Sequence, residues 1–173
     1  TNDRNILLMI DEVQSGFCRT GKWFAHQHEN IIPDVITIAK ALGNGVPIGA
    51  CLAATNASNI LIPGSHGSTF GGNFLSCSVG LKVLDIMRDQ QICINARKMG
   101  DLFSKELKER LLTKKSILDI RCKGLMIGIE LKQDCTSLGN TFLENGLIVN
   151  ITKGNIIRML PPLIINKNQV HDI

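Results

Sequence analysis

Two short apolar runs, each ending on a charged residue and only about thirty residues apart, constrain this chain more than any other feature. NILLMIDEV carries Asp11 at the end of its apolar stretch, and DVITIAK ends on Lys40. Runs of this length, rich in Ile, Leu and Val and bounded by turn residues, are expected as buried strands. A third run, IGACLAAT, follows the turn GNGVP, with Pro and Gly marking the joins. Three such runs in about fifty residues predict a mainly parallel α/β sheet.

The pattern then changes. From about Asn73 to Gln90, Leu75, Val79, Val83, Leu84 and Met87 recur at helical spacing, and a second helical pattern runs from Ile92 to about Leu112. Beyond it, SILDIRC, GLMIGIEL, GLIVNI and NIIRML read as short strands, with a helix around Thr136–Asn145. The expected division is 1–90, part of a large α/β domain, and 91–173, a small C-terminal α+β domain. The chain lacks an initiator Met and stops at INKNQVHDI without a helix-terminating signal, so both ends read as cut.

Composition excludes several classes. With 44% hydrophobic residues the chain can bury a core, and a net charge of +4, scattered among acids, gives no basic stripe for nucleic acid. No apolar run approaches the roughly 20 residues that span a bilayer, and no secretory leader is legible, so a cytoplasmic protein is expected. The six cysteines are far apart and form no CxxC pair, which predicts reduced thiols. His26 and His28 alternate in a polar loop without an evident third ligand and are expected on the surface, with no metal bound. His66 reads as structural. GNGVPIG lacks the spacing and the following helix of a dinucleotide fingerprint, which excludes nicotinamide binding.

Ligands of open α/β sheets gather at the carboxyl ends of the strands, where Asp11 and Lys40 stand. The plain alternative is a strand-end ion pair. A lysine near an acid at such an edge also suits pyridoxal phosphate (PLP), because the amine can carry the cofactor covalently while the acid keeps the pyridine nitrogen protonated. Lys40 could then move the substrate's proton as well. SHGSTFGGN joins Gly, hydroxyls and a helix start, which together can hold a phosphate or form a mere turn. Arg158, before two prolines, could grip a carboxylate or pair with an acid.

Four ordered segments, DEVQSGFCRTG, PDVITIAKALGNGVPIGA, HGSTFGGN and IIRMLPPL, resemble the class III aminotransferases over nearly the whole chain. The segment from Asp11 to Ala50, with GLMIGIEL and GLIVN, is most similar to the acetylornithine branch of that family. The resemblance implies a PLP-dependent transferase fold of type I, with the back half of its large domain and a small α+β domain present here. It implies PLP as cofactor, with Asp11 at the pyridine nitrogen, Val13 on the ring face, Gln14 near the phenolic oxygen, Glu12 in the same cofactor-contacting run and Lys40 bonded to the cofactor. It further implies a homodimer with shared active sites, in which Thr69 binds the partner's phosphate, Ser68 lies near the substrate and Arg158 holds a substrate carboxylate. The implied reaction exchanges amino groups between N2-acetylornithine and 2-oxoglutarate in arginine biosynthesis. Ornithine, succinylornithine, succinyldiaminopimelate or 4-aminobutyrate as donor, or a non-catalytic copy, remain the alternatives. The family's phosphate loop, ring-stacking aromatic and second substrate arginine have no counterpart in these 173 residues, so they are expected to be inactive alone. Phe17 and Cys18 stand where relatives commonly carry a Gly nearby, and Phe74 where Pro often follows the Asn of GGN.

Overall fold

A computed structural model describes residues 6–54 and 57–173. Asn5 of the first apolar run and Thr55 of the third lie outside the described residues. The chain forms two compact units, one of residues 1–18 and 22–92, the other of residues 19–21 and 93–173.

In the first unit, β1 (Met9–Asp11), β2 (Val35–Ile38) and β3 (Ala50–Ala53) form a sheet in the order β1-β2-β3. β1 and β2 are parallel, with Asp11 opposite Thr37, whereas β3 returns antiparallel to β2. The expectation of a mainly parallel sheet is thus corrected at β3. A turn of only eleven residues from Ala39 to Gly49 is too short for a crossover, which takes a dozen or more. The expected burial is corrected as well: only the central strand contributes Val35 and Ile38 to the interior, while Met9 is 65% exposed and β3 is exposed throughout. Both outer strands are edges with a face that no described residue covers.

Asn73 begins α1 (Phe74–Asp89) by accepting the Ser76 N–H at 2.9 Å, a side-chain N-cap that fills an otherwise orphaned donor. The face α1 buries is Ser76, Gly80 and Met87, not the side of Leu75, which is 72% exposed. Ser76 donates from Oγ to the Pro47 carbonyl at 3.0 Å, and a Cβ at Gly80 would reach ordinary contact with Leu42 and Ile48, leaving no room for a longer side chain. Small residues therefore let α1 approach the loop that follows Lys40.

The second unit is α+β. β4 (Ile117–Lys123), β5 (Met126–Leu131), β6 (Asn150–Thr152) and β7 (Ile156–Met159) form an antiparallel sheet in the order β4-β5-β7-β6. Alternation along β4 and β5 sends Ile120, Ile127 and Ile129 inward and Arg121, Gly128 and Glu130 outward. α2 (Ile92–Leu111), α3 (Leu138–Glu144) and α4 (Lys167–Asp172) supply the other half of the core, with Ala96, Met99, Phe103 and Val170 around Leu125 and Ile127. Each fully buried Leu, Ile or Phe here contributes about 2 kcal/mol by leaving water. α4 opens with a reciprocal capping box between Asn166 and Gln169.

Among the described residues no helix is long and apolar enough to cross a membrane. Cys51, Cys77, Cys122 and Cys135 are free, but Cys18 and Cys93 are disulfide-bonded, which corrects the expectation of six reduced thiols.

Candidate active site

The parallel pairing of β1 and β2 brings two sequence positions to one edge of the first sheet. Asp11 is the last residue of β1, and Lys40 opens a 3-10 turn two residues beyond the end of β2. Both are exposed. The Asp11 carboxylate accepts from the Val13 N–H at 2.9 Å and from the Thr37 hydroxyl at 3.2 Å, both through Oδ1, which fixes its direction and leaves Oδ2 without a donor among the described residues. No salt bridge joins Asp11 to Lys40, so the strand-end ion pair is not formed, and neither charge has an ion-pair partner among the described residues. Lys40 has φ 45°, in the left-handed region that a non-glycine residue enters at a cost of about 1–3 kcal/mol. Such strain collects where a side chain must be aimed.

Behind this edge, the turn after β1 is held by a buried carboxylate. Glu12 is 0% exposed. One of its oxygens receives the Ser15 hydroxyl at 2.5 Å. The other meets the His26 N–H at 2.9 Å and the His26 ring Nδ1 at 3.1 Å. Burial raises the Glu12 pKa, but the hydrogen bonds from Ser15, His26 and the Ala25 backbone outweigh it, and the carboxyl titrates below its ordinary range. His26 is corrected from surface to interior: its side chain is only 10% exposed and stacks on Phe24 at 5.6 Å between ring centroids. The Glu12 N–H donates to the Thr37 carbonyl and its own carbonyl accepts from Gly16, where a Cβ would come within 2.7 Å of that oxygen, so only Gly fits. Val13 and Gln14 are half-buried on this turn. Phe17 and Cys18 end it in the left-handed region, the conformation that a nearby Gly supplies at no steric cost.

Ser68 and Thr69 lie in the first unit, in a segment whose residues 58–72 are all exposed. Ser68 Oγ accepts from the Gly71 N–H at 3.0 Å, and His66 is exposed. Arg158 lies in the second unit, on β7 opposite Gly128 of β5 and Asn150 of β6. Its Nε is buried without a hydrogen-bond partner, which marks an unmet need for an acceptor. A cleft of about 560 Å³ on this sheet is lined by Arg158 together with Arg121, Met126, Gly128 and Ile156. Among the described residues no group of His, Cys, Asp and Glu could hold a metal ion.

Three residues with a part in this arrangement carry no signal that sequence reading resolves. Ser15 and His26 become visible only as Glu12's partners, and Arg19 only when its two acceptors, 106 and 142 residues away, are in place.

The family model for class III aminotransferases matches residues 1–173. The chain is 47% identical over 171 residues to "Acetylornithine aminotransferase 1" of Bordetella bronchiseptica, covering 99% of this chain and 44% of that protein. Among solved structures it is similar to the acetylornithine aminotransferase from Elizabethkingia anophelis, with a TM-score of 0.92, 40% identity and coverage of 99% of this chain and 44% of that one. It is likewise similar to the Toxoplasma gondii ornithine aminotransferase, whose structure shows partial occupancy of PLP at the active site, with a TM-score of 0.93, 35% identity and coverage of 99% and 42%. The chain thus spans less than half the length of the proteins it matches. Its two units have the fold of the PLP-dependent aminotransferases, and the chain belongs to the class III aminotransferases.

Proposed function

We propose that these residues form the lysine-bearing part of a PLP-dependent aminotransferase that exchanges amino groups between N2-acetylornithine and 2-oxoglutarate in arginine biosynthesis. The observation that carries the reading is the pair of unpaired charges, Asp11 and Lys40, on adjoining ends of parallel strands. An amine free of any carboxylate can bond to the cofactor, and a carboxylate with a free oxygen can hold a pyridinium proton. When bound, PLP supplies the electron sink that lets a substrate Cα lose its proton.

The chain's own residues do the rest. Asp11, oriented by Thr37 Oγ1 and the Val13 N–H, would leave its second oxygen to accept from the pyridinium N–H. Val13 and Gln14 would meet the ring on the turn that Glu12 fixes from behind, so Glu12 contributes by holding the backbone of that run. Lys40 would be the base that takes the Cα proton and returns it. Arg158, whose Nε lacks an acceptor, would grip a substrate carboxylate through its fork. Ser68 and Thr69 would serve a second copy in a homodimer, with Thr69 on that copy's phosphate. Their exposure, with Phe70 79% and Phe74 92% exposed beside them, supports a partner there. A cytoplasmic location fits this chemistry. Ornithine as donor is the second reading, favoured by the similarity to an ornithine aminotransferase.

The test uses the full-length protein with added PLP. Borohydride should fix a pyridoxyl group on the Lys40 peptide, and Lys40→Ala should abolish that adduct and lower the rate by more than about a thousandfold. A protein that stays colourless with PLP and yields no adduct at Lys40 would sink the reading. Steady-state rates with N2-acetylornithine and with ornithine then assign the donor, and a preference for ornithine would displace the acetylornithine reading.

A further inference from the structure

The ladder between β5 and β7 pairs Gly128 with Arg158 and Ile127 with Met159. Continued by the same register, the next pair of that parity would be Leu125 and Pro161. Proline has no N–H, so the ladder cannot close there: the Leu125 carbonyl has no donor across it, while the Leu125 N–H bonds to Arg19 and not to Pro161. Arg19 occupies that gap. Its Nη1 donates to the Leu125 carbonyl at 3.1 Å and to the Pro161 carbonyl at 2.6 Å, while its own carbonyl accepts the Leu125 N–H at 2.9 Å. One residue of the second unit thereby supplies the donor that Pro161 cannot, bonds the Pro161 carbonyl as well, and accepts the Leu125 N–H.

The fit around it is tight. A Cβ on Gly124, which has φ 54°, would come within 2.4 Å of the Thr20 carbonyl carbon and 2.8 Å of the Arg19 carbonyl oxygen, and one on Gly100 would come within 2.2 Å of the Gly124 oxygen. Residues 19–21 are therefore clasped between α2 and the β4–β5 turn, which leaves the Arg19 side chain little freedom to miss its acceptors. Burial lowers the Arg19 pKa. A half-buried guanidinium bonded to two carbonyls is costly to remove, since both acceptors then lose that partner.

We propose that Arg19 is a positioning residue for Arg158: by closing the β5–β7 ladder across Leu125 and Pro161, it sets the direction from which Arg158 meets a substrate carboxylate. The inference rests on the reading of Arg158 as the carboxylate holder. Only two residues separate Arg158 from the bridged Pro161 carbonyl, so a loosened strand end would swing the fork that must match a carboxylate in two bonds. The effect falls on substrate binding rather than on the proton transfer at Lys40.

The experiment measures steady-state kinetics of the full-length, PLP-loaded protein with 2-oxoglutarate as the varied substrate, for Arg19→Met, Arg19→Lys and Arg158→Lys. Arg19→Met should raise KM for 2-oxoglutarate about tenfold with kcat changed less than about threefold, the split expected when binding geometry alone is lost. The cofactor's visible absorbance should stay as in the parent. Arg19→Lys keeps the charge but its ammonium falls roughly one bond, ~1.3 Å, short of the acceptors, so about a threefold rise in KM is expected. A folded Arg19→Met protein with the parental KM, or with kcat lowered and KM unchanged, would overturn the inference. Should Arg19→Met not fold, a parental KM in Arg19→Lys would overturn it instead. Arg158→Lys separates the two claims: if it leaves KM for 2-oxoglutarate unchanged, the carboxylate reading itself fails and this inference with it. If it raises KM and the Arg19 variants do not, only the role of Arg19 is lost.

Discussion

Glu12 shows how a single buried charge can be made to serve a neighbouring one. It sits one residue past Asp11, yet its carboxylate points inward and is met by Ser15, His26 and the backbone of residues 25 and 26. An ion so enclosed would be costly if unpaired, and three or more donors reverse the balance. Because the folded-state pKa lies below the unfolded one, the carboxylate contributes stability that is fully present above the unfolded pKa and is lost as pH falls through the folded pKa. Glu12→Gln should therefore cost about 2 kcal/mol between pH 5 and 8, the scale of hydrogen bonds to a charged group. The gap to the parent should narrow as pH falls below about 4, where the carboxyl of the unfolded chain takes up a proton before that of the folded protein. Urea unfolding across that pH range checks it, and a gap that stays constant to pH 3 would contradict the assignment. Asp11 was legible in the sequence because a charge after an apolar run can only mark a strand end. His26 was not, since a histidine in a polar loop looks solvated until a distant carboxylate is folded beneath it.

At the scale of elements, periodicity located both long helices and all four strands of the second sheet, with ends within a few residues of those expected. It succeeded there because each of these elements covers a core on one face, which imprints a 3.6 or a 2 residue repeat. It failed on the burial of β1 and β3, where Met9 and Leu52 are exposed, and on the buried side of α1, where Ser76 and Gly80 face the loop after Lys40. Small residues chosen for close approach carry no hydrophobic signal. The join between the helices is also informative. Gln91 follows the C-cap Gln90 of α1 at φ 52°, in the left-handed position that helix ends usually give to Gly. Gln91 is exposed, so its side chain has little packing to lose. Gln91→Gly should stabilise the chain by about 0.5–1 kcal/mol, the relief of the left-handed strain less the added entropy of the unfolded chain. Thermal unfolding should show Tm higher by about 2–4 °C, and a lower Tm would refute the strain argument.

Across the whole molecule, buried apolar side chains are unevenly shared. The second unit has two clusters of inward side chains, from Phe103, Leu125 and Ile127 to Ile129 and Ile157, whereas the first unit leaves Met9, Ile32, Leu52, Phe70 and Phe74 exposed. Local stability follows the apolar area removed from water around each backbone hydrogen bond. In the 173-residue chain, amides of β5, β7 and the buried face of α2 should therefore exchange with solvent at least about a hundredfold more slowly than those of β2 and β3, a difference of about 2.7 kcal/mol in opening free energy. Ile36 and Thr37 are informative reporters, because they belong to the central strand and are paired on both sides, so their exchange measures the first unit's cohesion rather than an edge. In the full-length protein the same amides should slow towards those of β5 if the exposed faces are covered there, while the amides of β5 and β7 change little. Equal protection of β2 and β5 in the 173-residue chain would show that the first unit holds together without such cover, and would contradict the dependence of its local stability on buried apolar area.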